Sequence, residues 1–299
     1  MDQIDYNKTA SKGSFWDSKT ARIVAILIIM VASLTVIKNE VVSWSESSSI
    51  QENGSIGDED RKTEVDDYGC NVHGIELHGE LTTYLVSSGS DDGYGSDDAT
   101  ASQDVVYAIK KAEQDDDVKA ILLEVDSYGG YPVAGEEVAR AVKESIKPIV
   151  GLIREGGASA AYLAVSGADR IIASKSSDVG SISVTMSYLD NVKQNQDQGL
   201  KYVSLTSGKF KDTGNPNKPL TDEDQELLMR DVKILHNNFV EMVAENRGME
   251  IKDVEALADG STMLGEMALE NGLIDQIGGM QEVQDYLKDV IGEEVVICW

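Results

Sequence analysis

The chain is poor in the residues that metal centres and disulfide-rich scaffolds require. Its 299 residues include only two cysteines, Cys70 and Cys298, and three histidines, His73, His78 and His236. The histidines form no HExxH motif, and the cysteines lack the short spacing of zinc-binding motifs. We therefore expect neither a metal centre nor a bound cofactor.

Aromatic and basic residues are also scarce. Aromatic residues make up 6% of the chain, so the core must depend on aliphatic side chains. The 26 Lys and Arg residues are outnumbered by 53 Asp and Glu residues, which gives a formal net charge of -27. Such a surface repels phosphate backbones, so nucleic-acid binding is not expected. Because the charges are spread along the chain, they indicate a solvated acidic surface rather than an acidic binding tail.

Long uncharged apolar runs are rare too, and one stands near the N-terminus. Residues 23–37 would form about 22 Å of helix, less than the ~30 Å hydrocarbon core of a bilayer. Trp16 and Trp44 flank the run as interfacial anchors, and basic residues concentrate before it. We expect a cytoplasmic segment over 1–22, a single-pass signal anchor in the cell membrane over 23–42, and an extracytoplasmic remainder. A cleaved signal peptide and a buried helix are the alternatives.

Two regions follow this run. Residues 43–68 are rich in Ser, Glu, Asp and Gly and predict a flexible acidic linker. Over 69–299, strand-like and helix-like segments alternate, which is typical of an α/β domain with a mostly parallel sheet. The predicted elements include strands over 118–125 and 149–153 and helices over 102–114, 132–146 and 221–246.

Three short segments between predicted strands and helices contain residues suited to catalysis. The first, 126–130 (DSYGG), contains a Gly pair that presents bare backbone N–H groups. The second, 156–162 (GGASAAY), places Ser159 at the start of a helix, and the third, 207–212 (SGKFKD), carries two lysines. Taken singly, each has an ordinary structural explanation: the Gly pair is typical of a turn, the serine of a helix N-cap, and the lysines of a solvated loop.

Together these segments resemble the signal peptide peptidase SppA family. Five motifs match its motifs in the same order along about residues 70–285, and collinearity makes the resemblance specific. The matching segments are SYGG at 127–130, GASAAY at 157–162, VGSISV at 179–184, SGKFKD followed by PLT at 207–221, and LGEMALENGLID at 264–275.

The resemblance implies a role for each matching residue. Ser159 corresponds to the nucleophile and Lys211 to the general base of a Ser–Lys dyad. Ser181 corresponds to a serine that orients the lysine, and the Gly129 and Ala160 N–H groups correspond to the oxyanion hole. A lysine acts as a general base only when neutral, which requires burial or cationic neighbours.

The resemblance also implies a fold, an assembly and a substrate class. It implies a ClpP/crotonase-like fold with a mostly parallel sheet and flanking helices, in a homo-oligomeric ring. In at least some members of the family the serine and the lysine meet across a subunit boundary, and if they do so here, a monomer would be inactive. The expected activity is that of a membrane-anchored serine endopeptidase that cleaves hydrophobic peptides, such as remnant signal peptides, through an acyl-enzyme.

Some residues depart from the family pattern, and some questions stay open. Tyr128, Ala160, Ala161 and Ser183 replace smaller or more rigid family residues, which puts the substrate preference in doubt. A crotonase-like acyl-CoA enzyme and an inactive membrane scaffold of the same fold are the alternative functions. Cys70 and Cys298, at the two ends of the predicted domain, either form a disulfide or stay unpaired.

Overall fold

The structure, a computed structural model, describes residues 69–85 and 98–299. These residues belong to one compact unit, Asp66–Trp299. The predicted segment 1–22, the anchor over 23–42 and the linker over 43–68 lie outside the described residues. Within the described ranges, no helix is long and apolar enough to cross a membrane.

A mostly parallel sheet organises the described part of the chain. The strands are β1 (Val72–His78), β2 (Glu80–Thr82), β3 (Ala99–Ala101), β4 (Ala120–Ser127), β5 (Ile149–Ala158), β6 (Arg170–Ala173), β7 (Asp178–Gly180), β8 (Thr262–Leu264), β9 (Gln276–Ile277) and β10 (Ile297–Cys298). The main sheet has the order β10-β1-β4-β5-β6-β9, with β7 beside β5 and β8 beside β7. Among the described strands, only the β7–β8 pair is antiparallel, and β2 and β3 form a separate parallel pair. The predicted mixed α/β architecture with a mostly parallel sheet is confirmed.

The helices connect these strands and cover the sheet. They are α1 (Ser102–Gln114), α2 (Pro132–Lys143), α3 (Ala160–Val165), α4 (Val192–Asp197), α5 (Asp222–Arg247), α6 (Ile251–Glu255), α7 (Gly265–Glu270) and α8 (Met280–Ile291). Since β4, β5 and β6 are parallel, α2 and α3 serve as the crossovers between successive strands.

Alternating side chains divide the core between the two faces of the sheet. On β4, Leu123 belongs to a large cluster that also contains Val138 of α2 and Val243 of α5. Its neighbour Leu122 points to the opposite face, where it belongs to a smaller cluster with Leu287 of α8. Burial on both faces explains why β4 is an almost continuous apolar run.

The element boundaries agree with the sequence where local signals decide them. Helix α1 has the predicted bounds, and Thr221 caps α5 as expected, since its hydroxyl accepts from the Asp224 N–H in a capping box. Strand β5 instead continues to Ala158, five residues beyond the predicted end. Its last three residues pair with β7, a partner that local patterns do not reveal.

Cys70 and Cys298 form a disulfide with their Cα atoms 5.8 Å apart. The parallel pairing of β1 with β10 brings them together, because His73 is in register with Cys298. The bond spans a sequence separation of 228 residues and ties the edge strand β10 to the segment just before β1. The pairing left open by the sequence is therefore present in the structure.

We predict that losing this disulfide destabilises the domain, because a cross-link across a long loop restricts the unfolded chain. The expected loss is about 2–4 kcal/mol, which lowers Tm by roughly 5–15 °C in a domain of this size. Differential scanning calorimetry with and without dithiothreitol measures the effect. In the matched Cys70→Ser/Cys298→Ser variant, Tm should be low and insensitive to the reductant. An equal Tm in oxidised and reduced wild-type protein would contradict the prediction.

Candidate active site

The sheet register brings three turns together at the carboxyl ends of neighbouring strands. Ser127, the last residue of β4, is in register with Gly157 of β5. Ala158, the last residue of β5, is in register with Gly180, the last residue of β7. Three turns therefore start next to one another: the one that contains Gly129 and Gly130, the one at Ser159 and the one at Ser181. Ligand sites of parallel α/β sheets commonly lie at this edge.

Ser159 has a backbone conformation that an L-residue rarely adopts. Its φ is 53° and its ψ is -129°, at the point where β5 ends and α3 begins. Its N–H donates to the Gly180 carbonyl at 2.7 Å, and its carbonyl accepts from the Leu163 N–H at 3.0 Å. These bonds fix a sharp strand-to-helix turn that presents the side chain of Ser159. A non-glycine residue held in this region stores about 1–3 kcal/mol of strain, and such strain is concentrated at functional sites.

The Gly-Gly turn lies directly against Ser159. A Cβ atom at Gly129, whose φ is 110°, would approach Ser159 Cβ to 2.7 Å, so only glycine fits there. The Gly129 N–H donates to Ser127 Oγ at 3.1 Å, and Ser127 Oγ donates to the Gly79 carbonyl at 2.6 Å. The N–H assigned to the oxyanion hole is thus already engaged in this conformation.

Gly130 is a second candidate donor that the sequence analysis missed. It forms an isolated parallel bridge with Leu81. The bridge bonds are Leu81 N–H to Gly129 O and Tyr131 N–H to Leu81 O, so the N–H of Gly130 points away from Leu81. Within the described residues that N–H has no hydrogen-bond acceptor, and Gly130 lines the same cavity as Ser159. The role of Gly129 stays a prediction, beside that of Gly130.

Ser181 lines the same cavity as Ser159, and its lysine-orienting role stays a prediction. Its φ is 52°, and its N–H donates to the Ser261 carbonyl at 3.0 Å. Its hydroxyl donates to the Gly260 carbonyl at 2.9 Å. Ser181 is the second non-glycine residue with positive φ in the described chain, and both such residues line one cavity.

This cavity has a volume of about 310 Å³ and a mixed lining. Apolar side chains form one part of it, and hydroxyl groups form another. The apolar lining residues are Pro132, Ala160, Leu163, Val184, Leu235 and Phe239, and the hydroxyl-bearing ones are Ser159, Ser181, Ser183 and Thr185. The arrangement suits an apolar side chain next to a reactive hydroxyl.

Glu136 is the charged residue among those that line the cavity, and the sequence analysis did not select it. It lies on α2, which packs closely against α3. Glycine at position 135 permits this contact, because a Cβ there would approach the Ala160 carbonyl oxygen to 2.8 Å. In the sequence, the small residue Gly135 next to Glu136 is the one local feature that accompanies this position. It does not by itself indicate a cavity residue, because the contact between α2 and α3 is not apparent from the sequence.

The structure does not bring Lys211 into this cavity. Lys211 is exposed, and its N–H donates to the Gly208 carbonyl at 3.2 Å within a turn that precedes α5. It is not among the residues that line the cavity. Ser159, Ala160 and Ser181 are therefore brought together within one chain, whereas the predicted base is not.

Tyr128, one of the departures from the family pattern, extends from the turn after β4 over the neighbouring strand β5. A Cβ at Gly156 would approach Tyr128 Cζ to 2.9 Å, so the ring lies on the backbone of β5. Its hydroxyl donates to Asp178 Oδ2 at 3.4 Å. Partial burial and then the negative charge of Asp178 raise the pKa of Tyr128 above its ordinary value. Tyr128 therefore links the turn to β7.

Residues 141–292, slightly more than half of the chain, match the family described as Peptidase family S49. The chain belongs to this family. The matched region includes Ser159, Ser181 and Lys211, and it excludes the Gly-Gly turn. The predicted resemblance to the SppA family is confirmed, because relatives that carry that name match this S49 chain.

Three relatives illustrate the similarity. The chain is 36% identical to a protein of Methanocaldococcus jannaschii named as protease MJ0651, over 64% of this chain and 63% of that protein. It is 33% identical to a protein of Enterococcus faecium named as signal peptide peptidase SppA, over 62% and 55%. It is 28% identical to Protease 4 of Haemophilus influenzae, over 66% and 33%. The match spans less than two thirds of each relative.

A solved structure of a ClpP1 mutant from Listeria monocytogenes is also similar to this S49 chain. The similarity covers 69% of this chain and 91% of that chain, with 12% identity and a TM-score of 0.44. The mixed α/β fold with a mostly parallel sheet is established by the strands and helices of this chain themselves.

We predict that Ser159→Gly stabilises the fold relative to Ser159→Ala. Glycine tolerates a φ of 53°, whereas alanine keeps the strain that serine bears. Glycine also has the greater conformational entropy in the unfolded state, which offsets part of this effect. The free energy of unfolding of Ser159→Gly should therefore exceed that of Ser159→Ala by about 1 kcal/mol. Urea denaturation of the two variants measures the difference, and neither variant should hydrolyse peptides. If the alanine variant is as stable as the glycine variant, Ser159 is not strained.

Proposed function

We propose that this chain is a membrane-anchored serine endopeptidase that cleaves hydrophobic peptides, such as remnant signal peptides, through a Ser159–Lys211 dyad. The observation that carries the proposal is the strained presentation of Ser159 beside the Gly-Gly turn, in a cavity with an apolar lining. Membership of peptidase family S49 supports the same reaction class.

The proposed mechanism follows from the chemistry of the groups at the site. Neutral Lys211 accepts the Ser159 proton as Oγ attacks the peptide carbonyl carbon. The oxyanion is bound by the N–H of Ala160, the first residue of α3, and by an N–H of the Gly-Gly turn. The lysine ammonium then protonates the leaving amine, and water hydrolyses the acyl-enzyme. Ser181, fixed by its bonds to Gly260 and Ser261, orients the lysine.

We further propose that Lys211 reaches Ser159 from another copy of the chain in a homo-oligomeric ring with the ClpP/crotonase-like fold. Two features of the single chain support this arrangement. Lys211 is exposed and does not line the Ser159 cavity. The charged lining residue is an acidic one, Glu136, so a cation has to enter from elsewhere.

The membrane location is likewise a proposal. It rests on the aromatic-flanked apolar run over 23–37, which predicts a single-pass anchor with a cytoplasmic N-terminus. The Cys70–Cys298 disulfide supports an extracytoplasmic catalytic domain, because disulfides persist mainly in oxidising compartments. The apolar part of the cavity lining supports a hydrophobic peptide substrate.

The two alternative functions predict different behaviour. A crotonase-like enzyme would bind acyl-CoA thioesters tightly, whereas an inactive scaffold would show neither thioester binding nor an activated serine. Among the described residues, the cavity lining includes residues of the peptidase motifs at 157–162 and 179–184, which favours a peptidase over an acyl-CoA enzyme.

The first test of the proposed function is labelling by a fluorophosphonate probe, which reacts with activated serine hydroxyls. We expect the full-length protein to be labelled at Ser159, as identified by peptide mass spectrometry. Ser159→Ala should remove the label, and Ser176→Ala, at an exposed surface serine, should not. Undiminished labelling of Ser159→Ala would refute the nucleophile assignment.

The second test concerns the general base. Lys211→Ala should lower kcat/KM for a hydrophobic peptide by about 10²–10⁴-fold, the usual contribution of a general base. The oligomer mass should be unchanged in native mass spectrometry. Lys209→Ala, two residues away, is the matched control and should stay within about threefold of wild type. Loss of activity in Lys209→Ala with full activity in Lys211→Ala would move the base to Lys209.

A further inference from the structure

The turn that carries Lys211 is followed by a cluster of three charged side chains, which we call the Lys218 cluster. It consists of Lys218, Asp212 and Asp224. Lys218 Nζ lies 3.0 Å from Asp212 Oδ1 and 3.5 Å from Asp224 Oδ2. The side chains of Lys218, Asp212 and Asp224 are only 21%, 15% and 4% exposed, so solvent screens these pairs far less than surface pairs.

Hydroxyl groups on both sides of Lys211 complete the cluster. Before it in the chain, Ser204 Oγ donates to Asp212 Oδ2 at 2.5 Å, and the Tyr202 hydroxyl donates to the same oxygen at 3.3 Å. After it, Thr213 Oγ1 donates to Asp224 Oδ1 at 2.5 Å. The chain is therefore fastened to the cluster upstream of Lys211 and again immediately downstream.

The cluster also connects the turn to the start of α5. Asp224 is the third helical residue of the capping box, and Thr221 donates to its Oδ2 through the hydroxyl at 2.8 Å and the N–H at 3.3 Å. Lys218 thus bridges a carboxylate of the turn, Asp212, and a carboxylate of a 26-residue helix. The turn is therefore linked to the helix by the Lys218 ammonium group, in addition to the hydrogen bond from Thr213 to Asp224.

The charges of the cluster are stable around neutral pH. Hydrogen bonds from Thr213 and then Thr221 lower the pKa of Asp224 to about 2. Hydrogen bonds from Ser204 and then Lys218 lower the pKa of Asp212, and the bond to Asp212 raises the pKa of Lys218. Without the Lys218 ammonium, two ionised carboxylates would face each other across a poorly solvated gap.

The other lysine of the motif is held in a different way. Lys209 pairs with Glu223 at 2.6 Å, but these side chains are 60% and 64% exposed. An exposed pair of this kind contributes little to holding a loop. Within the described residues, the Lys211 side chain has no hydrogen-bond or ion-pair partner, so its location is set by the backbone of the turn.

We propose that Lys218 is a positioning residue for the reaction: by bridging Asp212 and Asp224, it fixes the turn from which Lys211 reaches Ser159. The inference rests on the proposed Ser159–Lys211 dyad. A general base works only within hydrogen-bond reach of its proton, and a misplacement of about 1 Å can cost about 10²-fold in rate. Lys218 touches neither Ser159 nor the cavity and acts through Lys211.

The test compares Lys218→Met, which keeps the aliphatic stem, with Lys218→Arg, which keeps the charge, in the full-length oligomer. We expect Lys218→Met to lower kcat about 10–100-fold with KM within about twofold, and to slow fluorophosphonate labelling of Ser159 in parallel. Lys218→Arg should restore at least part of kcat, and Lys209→Met should behave as wild type.

Folding defects are separated from positioning by a second variant. Asp212→Asn removes the negative charge that pairs with Lys218 with almost no change of side-chain shape, and it should reproduce the loss of kcat with KM within about twofold. An unchanged kcat in Lys218→Met, or an arginine variant no better than the methionine variant, would overturn the inference. If Lys211→Ala is itself fully active, the proposed dyad fails, whereas an inactive Lys211→Ala with a normal Lys218→Met refutes the positioning role alone.

Discussion

The register of β4, β5 and β7 is the constraint on which the site depends. Because Ser127 aligns with Gly157 and Ala158 aligns with Gly180, three turns leave the sheet at one edge and in contact. The 2.7 Å bond from the Ser159 N–H to the Gly180 carbonyl extends this register into the turn and holds Ser159 at positive φ. A shift of one residue in the pairing of a strand would turn each of its side chains to the opposite face of the sheet, and the three turns would no longer meet.

The sequence predicts those parts of this arrangement that local chemistry determines. The Gly pair at 129–130, the serine at the start of α3 and the Thr221 cap are set by backbone conformation and capping, which neighbouring residues specify. The ordered series of five motifs identified the family correctly. By contrast, β5 extends past 153 because it pairs with β7, and a pairing between segments more than twenty residues apart leaves no local pattern.

Other features of the site depend on tertiary contacts that no motif encodes. Gly129 was the predicted oxyanion donor, yet its N–H is engaged by Ser127, a bond that exists because Ser127 Oγ is itself fixed by the Gly79 carbonyl. Glu136 enters the cavity only because Gly135 lets α2 approach α3 closely. The charges at 212, 218 and 224 become a cluster only when the turn folds back on α5.

The charged groups around Lys211 bear on its proposed role as a general base. A carboxylate near a lysine favours the charged ammonium, and a general base must lose that charge. In the described chain Lys218, not Lys211, neutralises the nearby aspartates, so Lys211 is left without a carboxylate partner. In the proposed arrangement Lys211 enters the Ser159 cavity of a second copy, where apolar side chains favour a neutral lysine and the Glu136 carboxylate favours the ammonium. The proposed dyad is complete only where two copies meet, so the proposed mechanism requires an oligomer for peptide hydrolysis.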